Sequence, residues 1–128
     1  MNLTNTDVRT PTTCAAVDEA VAIMGNKWTL LVLGALSHAP GMTLRHAELQ
    51  RAVAGISQRM LTFTLRKLEE NGLVERTVFP SIPPRVDYAL TAPGRSLIAP
   101  VQSVLDWVIT NRPALNEARR RSTAKTRA

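Results

Sequence analysis

One cysteine, Cys14, stands in 128 residues, so no internal disulfide framework exists to replace a hydrophobic core. Aromatic residues make up only 4% of the chain. The longest apolar run, Trp28 to Leu36, is far short of the roughly 20 residues that a membrane span needs. Met1 to Thr13 is polar, without a basic start followed by an apolar stretch, so no signal peptide is expected. There is no glycine-rich phosphate loop, no His-Glu-x-x-His and no Gly-x-Ser-x-Gly, and these absences leave catalysis without visible machinery. His38 and His46 lack a second cysteine or an acid at ligand spacing, so neither a metal nor a cofactor is expected. These exclusions leave a single-domain, cytoplasmic protein without a membrane partner.

Charge is abundant and unevenly placed. Lys plus Arg number 16 against 10 Asp plus Glu, a formal net charge of +6. Residues 112–128 hold six basic residues against Glu117, net +5, which leaves ten basic against nine acidic before them, net +1. A polyanionic partner is implied, but for residues 1–111 the claim rests on local clustering, because most of the excess lies in the tail.

Residues 1–13 read as a flexible arm and residues 112–128, without an apolar face, as a basic disordered tail, with one folded domain over 14–111. Within it, Val17, Val21 and Met24 predict a short helix from Ala15 to Met24 with Asp18 and Glu19 in its first turn. The almost wholly apolar stretch Lys27 to Ser37 predicts a buried helix centred on Trp28, Leu31, Leu33 and Leu36. Thr43 reads as the cap of a third helix that closes at Gly55. Ser57 then caps a helix over Gln58 to Glu70, whose Leu61, Leu65 and Leu68 fall at i, i+4 and i+7. After Gly72 the period changes to two, giving strands around Leu73–Phe79 and Arg85–Leu90 that flank the stiff loop Pro80-Ser81-Ile82-Pro83-Pro84. Thr91 and Pro93 start a last helix, which Pro100 is expected to kink.

A buried helix, two short helices and a hairpin form the layout of a winged helix-turn-helix: a mainly α fold with a small β-hairpin, in which the helix before the hairpin enters the major groove of double-stranded DNA. With the leucines inward, that helix presents Gln58, Arg59, Thr62, Phe63 and Arg66 outward, with no acid from Ser57 to Leu68. Arginine matches guanine bidentately, Gln58 suits adenine, Phe63 or the Thr62 methyl suits a thymine methyl, and Ser57 suits phosphate at the helix N-terminus. Lys67 adds charge beside them, and on the wing Arg76 and Arg85 suit phosphate or a minor groove. The last helix carries Leu97, Val101, Val104, Leu105 and Val108 with Trp107, more apolar surface than one short neighbour covers, which predicts a homodimer on a pseudo-palindromic operator.

Cys14 ahead of the first helix, Met24-Gly25-Asn26-Lys27-Trp28, Gly55-Ile56-Ser57-Gln58-Arg59-Met60-Leu61-Thr62, Leu65 to Val74, and Pro83-Pro84-Arg85-Val86-Asp87-Tyr88 resemble the HxlR family of bacterial transcription regulators over about Cys14 to Trp107. The resemblance implies a DNA-binding homodimer that represses or activates nearby genes, with the interface formed by the first and last helices, hence also Val17 and Val21. It further implies that Cys14 senses oxidants or electrophiles, although Asp18 and Glu19 oppose its thiolate. The chain departs from the family where Ala15-Ala16 replaces a Pro after the cysteine and where Phe63 replaces a polar residue, often Gln. Three alternatives stay open: a sequence-tolerant architectural protein that coats DNA, a regulator answering to a small-molecule effector rather than to cysteine chemistry, and an enzyme or carrier.

Overall fold

A computed structural model describes residues 10–127. Its first helix, α1 (Pro11–Met24), starts four residues earlier than the periodicity predicts. The Thr10 side chain accepts the Thr13 N–H at 3.2 Å, and Pro11 follows in the first turn, where its missing N–H costs nothing. The expected arm is thus corrected over Thr10–Thr13, which cap and open α1, while residues 1–9 lie outside the described part. Asp18 and Glu19 fall beyond the first turn, so they do not stand at the helix start as expected.

Asn26 caps α2 (Lys27–His38) through the Trp28 N–H at 2.9 Å. This helix buries Thr29, Val32, Leu33 and Leu36 on one side. It is not buried all round: Leu31 is 45% exposed and Trp28 is only half-buried. A 3-10 turn at Pro40–Met42, with Gly41 at φ +64, leads into a strand that the sequence reading missed, β1 (Thr43–Arg45). Thr43 therefore lies in a strand rather than capping a helix. The helix behind it, α3 (His46–Ala52), is closed at its start by the Arg45 N–H donating to Glu48 Oε1 at 2.9 Å.

Ser57 accepts the Met60 N–H at 3.0 Å and starts α4 (Gln58–Glu70), which buries Leu61, Thr64, Leu65 and Leu68. Leu33, Leu36, Leu49, Leu61, Leu65 and Leu68, each at most 2% exposed, form the centre of the core, where α2, α3 and α4 meet. Each such side chain contributes about 1.5–3 kcal/mol of transfer free energy. Behind them β2 (Val74–Phe79) and β3 (Arg85–Leu90) pair antiparallel from Val74↔Leu90 to Phe79↔Arg85, and β1 joins the other edge of β3, so the sheet order is β1-β3-β2.

The last helix, α5 (Ala92–Arg127), opens with the Gly94 N–H donating to Thr91 Oγ1 and runs through both Pro100 and Pro113. The basic tail expected to be disordered is helical as far as Arg127, a correction whose cause is composition: Ala, Leu, Glu, Arg and Lys are strong helix formers without any amphipathic stripe. Two structural units result, one ending at Arg95 and one from Ser96 onward.

Gly94 lies so close to the Leu73 carbonyl that a Cβ there would stand 2.1 Å from the oxygen, whereas a Cβ on Gly34, inside α2, would meet nothing within 4 Å. Urea unfolding is therefore expected to show Gly94→Ala destabilised by about 1–3 kcal/mol. Gly34→Ala is expected to be stabilised by about 0.5–1 kcal/mol through its lower backbone entropy. Equal effects of the two would contradict this packing.

Candidate nucleic-acid interface

With Leu61, Leu65 and Leu68 inward, the helical period turns Arg59, Phe63 and Arg66 outward at the same i, i+4, i+7 spacing, with Gln58 and Thr62 beside them. Gln58, Arg59, Thr62, Phe63 and Arg66 line one open groove, and His46 at the start of α3 completes it. The sequence offers His46 no role beyond a metal site that its spacing excludes. The residue is tied to the face because the Thr62 hydroxyl donates its one hydrogen to the Gln58 carbonyl at 2.9 Å, so His46 Nε2, 3.2 Å away, donates to the Thr62 oxygen. The pair is sixteen residues apart, and no local sequence signal announces it. With its hydrogen committed, Thr62 has its methyl and a remaining lone pair to offer a ligand.

Arg59 and Arg66 are exposed and have no carboxylate partner among the described residues. Arg66 and Thr62 continue into a second groove that reaches Arg76 on β2, which is likewise exposed and without a carboxylate partner among the described residues. Helix α4 and the wing therefore place Arg66 and Arg76 on one groove, which the carboxylate of Glu69 on α4 also lines. Ser57 sits at the N-terminus of α4, where its hydroxyl oxygen accepts the Met60 N–H as the cap and keeps its own O–H to donate.

Two predicted cations stand differently. Lys67 lies 3.4 Å from Glu70 and 5.7 Å from the Phe63 ring centroid, and it lines a separate groove with Asn26, Thr29 and Asn71. Arg85 is held by Asp87 through two hydrogen bonds, both at 3.1 Å, while its guanidinium stacks 4.3 Å from the Phe79 ring centroid. Asp87 also lies 4.0 Å from Arg45, so one carboxylate, 17% exposed, anchors two arginines on neighbouring strands. A readable signal for this existed, since residues two apart on a strand share a face. Arg45 was not singled out from sequence, because a helix capped by Thr43 would contain it, whereas it lies on β1 opposite Asp87.

Cys14 is exposed in the first turns of α1, and α1 buries no residue in the single chain. Val17 is 46% and Val21 62% exposed. On α5, Val101 is buried and Leu97 half-buried, while Val104, Leu105, Trp107 and Val108 are exposed.

The fold and this cationic helix define a winged helix-turn-helix protein, and the comparisons agree. The family model for the HxlR-like helix-turn-helix matches residues 23–116, and the chain belongs to that family of transcriptional regulators. It is 45% identical over 92 residues to an uncharacterised HTH-type transcriptional regulator of Methanothermobacter thermautotrophicus, covering 72% of this chain and 68% of that one. Among solved structures it is similar to the redox regulator HypR in its reduced form, with a TM-score of 0.71, 34% identity and coverage of 80% of this chain and 98% of that one. It is also similar to diamide-treated YodB from Bacillus subtilis, with a TM-score of 0.65, 31% identity and coverage of 81% and 96%. No single helix among the described residues is long and apolar enough to cross a membrane.

The geometry separates open from satisfied cations. Arg59→Ala and Arg66→Ala are expected to weaken binding to the regulator's own upstream DNA roughly 10- to 100-fold each, the worth of a good base contact. Lys67→Ala and Arg85→Ala should cost less than about threefold, because each already has a carboxylate partner and an exposed pair exchanges partners at little net gain. Titration of a fluorescent duplex at fixed salt checks the order, and a larger loss at Lys67 than at Arg66 would reverse the assignment.

Proposed function

We propose that the protein is a sequence-specific transcription regulator that inserts α4 into the major groove of double-stranded DNA as a homodimer. The observation that carries this reading is the outward face of α4, acid-free from Ser57 to Leu68, where Arg59 and Arg66 stand open beside Gln58 and Phe63, with Arg76 of the wing on a groove that Arg66 shares with Glu69. Arg59 and Arg66 supply bidentate donors to guanine, Gln58 pairs with adenine, and Phe63, 49% exposed, packs on a thymine methyl or sugar. Arg76 takes a phosphate directly, and Arg85 does so by exchanging Asp87 for it. The domain over residues 14–111 acts in the cytoplasm, where the DNA is, and requires neither metal nor cofactor for this role.

Dimerisation is supported by the apolar side chains that the single chain leaves in water: Val17 and Val21 on α1 and, separately, Val104, Leu105 and Val108 on α5. Two-fold symmetry then sets two copies of α4 about 34 Å apart, one helical turn of DNA. Light scattering at micromolar concentration is expected to give twice the chain mass, and a monomer would remove the palindrome.

The deciding experiment is binding of the reduced protein to its own upstream DNA and to a scrambled duplex at one salt concentration. A preference of roughly 10³ or more is expected, whereas a ratio near one would mean an architectural protein that coats DNA.

The signal is read as redox or electrophilic, acting on Cys14. In its support, the thiol is exposed, and the chain is similar to one protein solved as a reduced redox regulator and another solved after diamide treatment. With one cysteine per chain, oxidation joins Cys14 to Cys14 of the partner subunit or to a small thiol, releasing two electrons and two protons to the oxidant. Diamide is expected to release wild-type protein from its operator and to leave Cys14→Ser bound. Equal release of both would remove Cys14 as the sensor.

A further inference from the structure

Charge separates in this chain as sharply as structure does. The family match ends at residue 116, yet α5 continues as an unbroken helix to Arg127. Beyond Pro113 this extension holds Arg119, Arg120, Arg121, Lys125 and Arg127 against Glu117 alone. Glu117 is engaged by Arg120 at 2.7 Å, so Arg119, Arg121 and Lys125 stand exposed without a carboxylate partner among the described residues.

The helical period decides what such a rod can hold. Arg112 and Arg119, seven apart, share one side, while Arg121 and Lys125, four apart, share another. Past Leu115 the remaining residues are small or polar: Ala118, Ser122, Thr123, Ala124 and Thr126. A partner helix needs an apolar stripe to pack against, and a bilayer surface needs one apolar face to receive, and neither is present. A phosphate backbone needs only cations, and takes them from any side of a helix.

We infer that the C-terminal extension of α5, residues 117–127, is a helical arm that grips the phosphate backbone of double-stranded DNA. The inference rests on the DNA-binding reading above and goes beyond it, since it assigns the backbone grip to a segment outside the family domain. A preformed helix also avoids the ordering cost of about 1–2 kcal/mol per residue that a flexible tail meets on binding.

The test uses the full-length protein and the triple variant R119Q/R121Q/K125Q, in which glutamine keeps helix propensity while removing charge. Circular dichroism and light scattering confirm equal helix content and assembly. Affinity is then measured across a potassium chloride series for a duplex that just covers the operator, for the same site with longer flanks, for a scrambled duplex, and for vesicles rich in phosphatidylserine. The variant is expected to lose about 0.9 in the slope of log affinity against log salt for each lost phosphate contact, up to about 2.7 per chain, and to lose the gain from longer flanks. Its preference for operator over scrambled DNA should stay within about twofold of wild type. An unchanged slope overturns the inference, as does a change confined to vesicle binding, or a loss of operator preference, which would make the arm a reader of sequence. Failure of the underlying reading appears elsewhere, as wild-type protein without operator preference, and leaves the slope comparison on scrambled DNA intact.

Discussion

The packing of the α4 leucine stripe on α2 is the constraint from which the interface follows. Leu61, Leu65 and Leu68 fill the space beside Val32, Leu33 and Leu36, and all six are at most 2% exposed. That seam fixes the rotation of α4 about its own axis. Since the period is 3.6, burying those three positions leaves Arg59, Phe63 and Arg66 on the opposite side with no freedom to turn inward. A leucine shifted by one position would rotate the arginines by about 100° and dissolve the groove they share with His46. The outward face of α4 is thus a by-product of the core, rigid because the core is rigid.

The wing is positioned by a different device. β3 is the central strand, and Asp87 at its outer half holds Arg85 on the same strand and Arg45 on β1. A half-buried carboxylate between two guanidinium groups fixes their direction at a modest energetic gain, since exposed pairs contribute at most about 1 kcal/mol each. The consequence is geometric rather than stabilising. Two forked donors are held beside the wing, and one carboxylate offsets only half of their charge.

Sequence patterning reached α4, its Ser57 cap and the two longer strands because each is announced by a local period and a punctuating residue. β1 escaped because three residues carry no period, and Thr43 ahead of the spaced apolar residues Leu44, Ala47 and Leu49 is as good a cap as a strand residue. The helical C-terminus escaped for the opposite reason: periodicity was taken as the sign of a helix, and a helix with cations on several sides has none. The open arginines of α4 were legible, since an acid-free stretch of twelve residues is a strong local statement. The Arg85–Asp87 pair carried a local signal, two residues apart on one strand, whereas the tie between His46 and Thr62, sixteen residues apart, carried none, because it is set by which helices meet.

Charge is sorted by function along the same chain. Up to residue 111 the net charge is +1, so the bulk field there attracts DNA little, and what attraction exists is concentrated in a few guanidinium groups aimed from α4 and β2. Residues 112–128 carry +5. Backbone contacts supply affinity and salt sensitivity while base contacts supply discrimination, and the two need not reside in one element. A nearly neutral reading domain keeps non-specific attraction from swamping the difference between right and wrong sequences. A separate basic helix can then raise the encounter rate without altering that difference. Each cation on such a helix would strengthen the operator and the scrambled complexes alike, leaving their ratio to the groups on α4.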